Sequence, residues 1–474
     1  MASSVAVWGI DIGRCALKAM KLRAAGDGRV EVIGQEYIEH STILTRAEGK
    51  QHALVAEALE KFLSNNDISK DKIVVGVPGQ HTLARFSKLP PVEAKKIPDI
   101  VRYEADQQIP FDLDEVIWDY QTFQEEDSPD VEVGIFAMKR ELIHDYLLPL
   151  QQVGIEPIAV QSAPLALYNA MHFEQRLGED TTVLLDVGAE NTDLIVATRF
   201  SLWTRTIPLG GNKFTEALVK SFKLSFTKAE TLKRTAATSK YARQVFQAMR
   251  PVFAELVQEL SRSLGFYRSG HREAELKRIV GMGNAFRLPG LQKYLQQNLQ
   301  LPVEKPTSLK QADVADAAAL KEQLPSFMVS YGLALQGLDA AQAQTGTSAI
   351  KSNLLPPEIV KQVVWRKKRP YFAAAAACLA AAACIVWFRQ SSDLRTLASN
   401  AGQPVGKVTF VQATKILSSG VSGVPARQEA QTWLDVAKAL KNELNKYSSL
   451  GADEEEKSEQ IVALQRNKAV WPRI

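Results

Sequence analysis

The chain has 474 residues, too many for one ordinary domain, and its 46% apolar content supports large cores and argues against global disorder. Its 57 basic and 53 acidic residues nearly cancel, and no basic stripe with interleaved aromatics occurs, so no nucleic-acid partner is expected. Three cysteines without Cys-x-x-Cys spacing and six scattered histidines argue against a disulfide framework and a structural zinc.

Apolar runs at 5–12, 17–22 and 30–38 read as a β-meander. No signal-peptide pattern opens the sequence, so the bulk before residue 370 is expected in the cytoplasm. Residues 51–64 put Leu54, Ala58, Leu59 and Phe62 on one helical face, and 73–77 is a buried-type strand closed by Pro78-Gly79. A different block then begins: a helix over 93–108, strands over 116–123 and 131–138, a helix over 140–153 and a strand over 155–160. Residues 182–198 repeat the opening pattern of strand, Asp-x-Gly turn and strand, and 203–208 is a third strand candidate. Helices are expected over 213–222 and 245–269, a strand over 277–281 and a helix over 288–299. Residues 340–348 are small and polar and read as a linker.

Residues 370–388 carry no charge over nearly the length of about 20 residues that a helix needs to cross a bilayer. Tyr371, Phe372, Trp387 and Phe388 mark its two ends. Arg366, Lys367, Lys368 and Arg369 precede it and Arg389 alone follows closely, so the positive-inside rule puts the N-terminal body in the cytoplasm. In the mostly helical tail expected over 389–474, Ala430, Trp433, Ala437, Leu440, Leu444 and Tyr447 form one apolar seam, suited to a partner helix or to the chain's own neighbours.

The candidate chemistry lies in a duplicated motif. Gly9-Ile10-Asp11-Ile12-Gly13 and Leu185-Asp186-Val187-Gly188-Ala189-Glu190-Asn191-Thr192 each deliver an Asp from an apolar strand to a glycine turn. Glycines let backbone amides approach an anion, and the carboxylates suit a hydrated magnesium ion. A third element, Ile279-Val280-Gly281-Met282-Gly283-Asn284-Ala285, is a strand ending in Gly-x-Gly before a helix, which brings backbone close to a ring or ribose.

In this order, the three elements resemble the phosphate-1, phosphate-2 and adenosine motifs of the actin and sugar-kinase superfamily. The finer resemblance, over about residues 5–340, is to the PilM family of type IV pilus assembly proteins and, more distantly, to the cell-division protein FtsA. It is carried also by Tyr103-Glu104-Ala105, Gln108-Ile109-Pro110-Phe111, Asp119-Tyr120-Gln121, Ile207-Pro208-Leu209-Gly210-Gly211 and the run from Ser261 to Ser269. The resemblance implies an α/β, actin-like (ribonuclease H-like) duplicated two-lobe ATPase fold. Its first lobe would begin over 1–83 and carry an inserted α+β (SHS2-like) subdomain over 84–158; a connection over 159–180 and a second lobe over 181–339 would follow. It implies ATP and Mg2+ as cofactors, with Asp11 and Asp186 handling the metal through water. Gly9, Gly13, Gly188, Ala189, Asn191 and Thr192 would hold phosphates, and Gly210, Gly211, Gly281, Gly283 and Asn284 would border the nucleoside. Gln161 stands near the place of a water-positioning residue.

Arg14-Cys15-Ala16 replace the hydroxyl residues usual after the first Asp-x-Gly. Arg14 is then a charged phosphate donor or an exposed side chain, and Lys18 is the next cation. ATP binding is expected and fast hydrolysis is not. A shorter resemblance joins Ser352-Asn353-Leu354-Leu355-Pro356-Pro357-Glu358 to the N-terminal peptide of PilN, which docks on PilM; Asn353, Leu354, Leu355 and Pro356 would make that contact from a linker over 340–369. The implied role is an inner-membrane scaffold of pilus assembly with PilN- and PilO-like partners and self-association through this peptide or the tail. Type II secretion, cell division and a small-molecule kinase are the alternatives.

Overall fold

The computed structural model describes residues 5–89, 92–123, 131–341 and 349–400, with Lys438 in isolation. The chain divides into two units, Met1–Trp365 and Arg366–Ile474.

The first unit opens with β1 (Ala6–Ile12), β2 (Ala16–Ala24), β3 (Val30–Glu39), α1 (Gln51–Asn65) and β4 (Lys72–Val77). Then come β5 (Leu83–Leu89), α2 (Ile97–Gln108), β6 (Val116–Phe123), β7 (Val131–Lys139) and α3 (Arg140–Gln152), followed by β8 (Ala159–Ser162) and α4 (Ala163–Phe173). The second half contributes β9 (Thr181–Val187), β10 (Thr192–Ala197), β11 (Leu202–Ile207), α5 (Gly211–Phe222), α6 (Phe226–Arg234), α7 (Ala242–Gly270), β12 (Leu276–Met282), α8 (Leu291–Leu299) and β13 (Val303–Glu304). The chain returns through β14 (Ala312–Val314), α9 (Ala317–Lys321) and α10 (Leu324–Ala341), and the last described element is α11 (Pro357–Asn400).

The sheets reveal a duplication. One runs β14-β3-β2-β1-β4-β8 and the other β11-β10-β9-β12-β13. In each, three consecutive antiparallel strands are followed by a parallel strand beside the first. We call these halves lobe 1 and lobe 2. A third sheet, β5-β7-β6, is inserted between β4 and β8 and covers its own core with Val101 and Ala105 of α2 and with Ile109 just beyond it.

Strand period two explains the burial of β1 on both faces. Trp8, Ile10 and Ile12 pack with Val55, Leu59 and Phe62 of α1, whereas Val7 packs on the α10 side. Full burial of each large side chain contributes about 1.5–3 kcal/mol. α4 and α10 pack together in the largest core, with residues from both sheets. A Cβ on Gly332 of α10 would stand 1.8 Å from the carbonyl oxygen of Ala166, so only glycine allows this helix contact.

The strand expected over 155–160 begins only at Ala159, because Pro157 has no N–H to donate to a ladder. The 370–388 segment lies inside α11, whose Pro357–Ser392 stretch is the one helix among the described residues long and apolar enough to cross a membrane. The helix starts before the basic stretch and continues through Pro370. Of the linker expected over 340–348, Ala340 and Ala341 instead end α10, and 342–348 lie outside the described residues, as does the seam at 428–447 apart from Lys438.

Candidate functional site

The two Asp-x-Gly motifs form the same turn. The Gly13 amide donates to the Ala16 carbonyl at 3.0 Å, and the Gly188 amide donates to the Asn191 carbonyl at 2.9 Å. Each glycine amide therefore closes its own hairpin. Among the described residues, the amides of Arg14 and Cys15 in the first turn and of Ala189, Glu190 and Asn191 in the second donate to no backbone carbonyl. All five residues line one cleft of about 450 Å³ between the lobes, a size typical of ligand pockets.

Strand register sets the charges at its base. Asp11 lies opposite Lys18 in the β1–β2 pair, and the equivalent Asp186 lies opposite Asp193 in the β9–β10 pair. The duplication thus places a lysine in one lobe where the other has an acid. Lys18 donates to Asp11 in a short ion pair. Burial pushes the Lys18 ammonium down, but Asp11 and Asp186 outweigh it and hold the group above its ordinary value. Burial pushes Asp186 up to about 6 against the pull of Lys18, with Asp11 adding to the rise. Asp193 is pushed to about 7 by burial, opposed by the Thr206 hydroxyl it accepts from and reinforced by Asp186 and Asp11.

Four contacts tie the lobes together across the opening. Arg14 Nε reaches Glu190 Oε2 at 3.2 Å, Arg234 Nη1 reaches Glu39 Oε1 at 2.9 Å, the Asn284 amide donates to the Tyr37 hydroxyl at 2.8 Å, and the Asn191 amide donates to Gln80. α6, which hydropathy patterning does not pick out, adds Glu230, Lys233 and Arg234 to the cleft lining. Lys233 Nζ is satisfied by Glu230 at 2.6 Å, Thr215 Oγ1 at 2.9 Å and the Gly211 carbonyl at 3.0 Å. A sequence signal for α6 does exist: Ser225 caps its first turn by accepting from the Lys228 amide.

Of the residues proposed from sequence, Asp11, Gly13, Arg14, Lys18, Asp186, Gly188, Ala189, Asn191, Gly211, Gly283 and Asn284 line this cleft. Gly283 adopts φ 88°, and a Cβ there would stand 2.2 Å from Asp186 Oδ1. Five others stand behind the wall, which corrects their expected placement. Gly9 is pressed against α10, where a Cβ would meet the Ser330 carbonyl, and Gly281 lies under the Phe286 ring. Gly210 packs on the Ala189–Glu190 peptide, and the buried Thr192 hydroxyl donates to the Leu209 carbonyl at 2.6 Å. Gln161 is not placed to position water: it is fully buried, its amide donates to the Ile350 carbonyl at 3.2 Å, and its oxygen accepts from Asn169 at 3.3 Å. For a metal, Asp11 and Asp186 offer the only proposed carboxylates, and among the described residues no group of three or more His, Cys, Asp or Glu converges.

Gln161 and Asn169 serve a second site. The segment from Ile350 to Leu355 runs along β8, the open edge of the six-stranded sheet. The Asn169 side chain exchanges two hydrogen bonds with the Ile350 backbone, at 2.8 and 2.9 Å. The Leu354 amide donates to the Val160 carbonyl at 2.8 Å. Asn353 Oδ1 accepts from the Val160 and Leu355 amides, each at 2.9 Å, and the Asn353 amide donates to Asp119 at 2.7 Å. Leu354 and Leu355 are buried in the core that contains α1 and α3, and Glu358 pairs with Arg140 at 2.6 Å. Asn353, Leu354 and Leu355 thus lie against the chain's own body.

Residues 9–338 match the family described as type IV pilus assembly protein PilM. This chain belongs to that family. A solved PilM-PilN type IV pilus biogenesis complex is 28% identical, with a TM-score of 0.61, covering 70% of this chain and 98% of that one. More distant likenesses are MreB5 of Spiroplasma citri bound to ADP, at 12% identity, TM-score 0.40 and coverages of 68% and 96%, and the cytoplasmic domain of EpsL of Vibrio cholerae, an inner-membrane component of the type II secretion system, at 11%, TM-score 0.32 and coverages of 68% and 95%. The PilM family and the duplicated α/β sheets together make this an actin-like protein.

Proposed function

We propose that this PilM-family protein is an ATP-binding scaffold of the inner-membrane platform for type IV pilus assembly. The observation that carries the nucleotide reading is the pair of identical turns, one from each lobe, presenting Asp11 and Asp186 to a single cleft. The free amides of Arg14, Cys15, Ala189 and Glu190 would receive phosphate oxygens, with Lys18 and Arg14 supplying charge. Two carboxylates suit a magnesium ion that retains most of its waters. Such an ion neutralises phosphate charge when bound. Gln161 is engaged elsewhere, so slow or absent hydrolysis fits better than rapid turnover.

Nucleotide held by both lobes would favour one lobe arrangement, and the inserted subdomain and the 352–358 segment would convey it to PilN- and PilO-like partners or to another copy of the chain. α11 would cross the inner membrane once, with the body in the cytoplasm and the tail in the periplasm. Calorimetry on the full chain should show magnesium-dependent ATP binding that Asp11→Ala abolishes while the fold persists. Unchanged affinity in Asp11→Ala overturns this site.

A further inference from the structure

Away from the cleft, two sheet edges line one groove. Among the described residues, β5 has only β7 as a strand neighbour and β11 only β10. Alternate backbone N–H and C=O groups of each strand therefore point outward without a ladder partner. Ala84 and Arg85 of β5, with Thr204 and Arg205 of β11, are shared by two adjoining cavities of about 190 and 550 Å³. The larger cavity adds an aromatic wall of Phe86, Trp203 and Phe266, of which Phe266 is 64% exposed. The Trp203 and Phe266 ring centroids lie 6.2 Å apart.

The groove is predominantly cationic. Arg85, Lys88 and Arg205 face a single carboxylate, Glu132, which stands opposite Lys88 in the β5–β7 register. Among the described residues neither Arg85 nor Arg205 has a carboxylate partner. Two open edges, an aromatic wall and uncompensated guanidiniums specify an occupant more narrowly than apolar area alone.

We propose that this groove binds an extended acidic peptide from a partner protein, added as a strand to the edges of β5 and β11. Backbone pairing supplies affinity, and side chains at alternate positions supply selection. β5 has 7 residues and β11 has 6, so the bound stretch is of similar length. Arg85 and Arg205 would read carboxylates, and the Phe86–Trp203–Phe266 wall would receive an apolar side chain. The larger cavity shares no lining residue with the nucleotide cleft or with β8, whereas the smaller one adjoins both through Gln80 and Ser162.

The test uses the full chain in nanodiscs and a fluorescent heptapeptide of alternating Asp and Val around a central Phe, followed by anisotropy. Three comparison probes are the Lys-for-Asp peptide, the same acidic peptide N-methylated at alternate amides, and a single-stranded oligonucleotide. The acidic peptide should bind, the lysine peptide should not, and N-methylation should weaken binding about tenfold through lost strand pairing. Arg85→Glu with Arg205→Glu should transfer binding to the lysine peptide, a gain that a misfolded variant cannot produce. No binding by the acidic peptide, equal binding after N-methylation, displacement by the oligonucleotide, or an unchanged preference in the double variant would each overturn the proposal. ATP calorimetry on the double variant should match the native chain.

Discussion

Arg14 of lobe 1 and Glu190 of lobe 2 form an ion pair across the cleft, Nε to Oε2 at 3.2 Å, with side chains 25% and 21% exposed. Each sits beside an amide proposed to receive a phosphate, so an incoming anion must compete with Glu190 for the guanidinium. The lobes are therefore held together by a contact that nucleotide would replace.

That competition predicts opposite effects from its two ends. Glu190→Gln removes the competing charge and should tighten ATP binding by about threefold, the scale of a partly exposed ion pair. Arg14→Ala leaves Glu190 facing the phosphates and should weaken binding by about tenfold. Calorimetry on both variants checks this; weakening in both would remove the competition from the account.

Stability should fall with rising pH through the titration of Asp193. Its folded carboxyl titrates at about 7 against an ordinary 3.8, so between those values the folded chain retains a proton that the unfolded chain has released. The group thus destabilises the fold progressively over that window and most fully above it. Asp193→Asn can still accept from Thr206 and should raise Tm at pH 8 by a few degrees, with little change at pH 4. Equal Tm differences at the two pH values would contradict the assignment.

Gly283→Ala tests the geometry behind Asp186 without changing a charge. The positive φ and the 2.2 Å approach to Asp186 Oδ1 leave no room for a methyl group. We expect a loss of about 1–3 kcal/mol in stability together with weakened ATP binding. Gly265 of α7 is the control: a Cβ there meets nothing within 4 Å, so Gly265→Ala should be neutral or stabilise by up to about 1 kcal/mol.

Asn353→Ala removes the oxygen that accepts from two backbone amides, Val160 and Leu355. Leaving partly buried donors unpaired costs about 1–3 kcal/mol. Hydrogen exchange should quicken at 350–355 and along β8, and remain unchanged in lobe 2. Unaltered exchange at β8 would show that the segment does not rest on that edge.

Much of the fold and of the cleft is legible in the amino-acid sequence. Alternation and turn residues mark the meander strands, and the two Asp-x-Gly turns fall where the cleft lies, because a strand ending in glycine is a local signal. The helices between the lobes are illegible for a physical reason. Nine of the eleven residues of α4 are buried, so it carries no polar face and no helical period to detect; α10 is apolar on nearly every side as well. The actin-fold resemblance suggests a water-positioning place for Gln161 but does not reveal its partner, the Ile350 carbonyl far along the chain. The pairing of Asp11 with Lys18 and Asp186 with Asp193 depends on register, which motif reading does not supply.

The most direct test of the central claim is an anomalous difference map of the protein with Mn2+ and a non-hydrolysable ATP analogue. A metal peak between the carboxylates of Asp11 and Asp186, with phosphate density against both glycine turns, is the predicted result. Nucleotide density touching only one lobe, or lying outside this cleft, would contradict it.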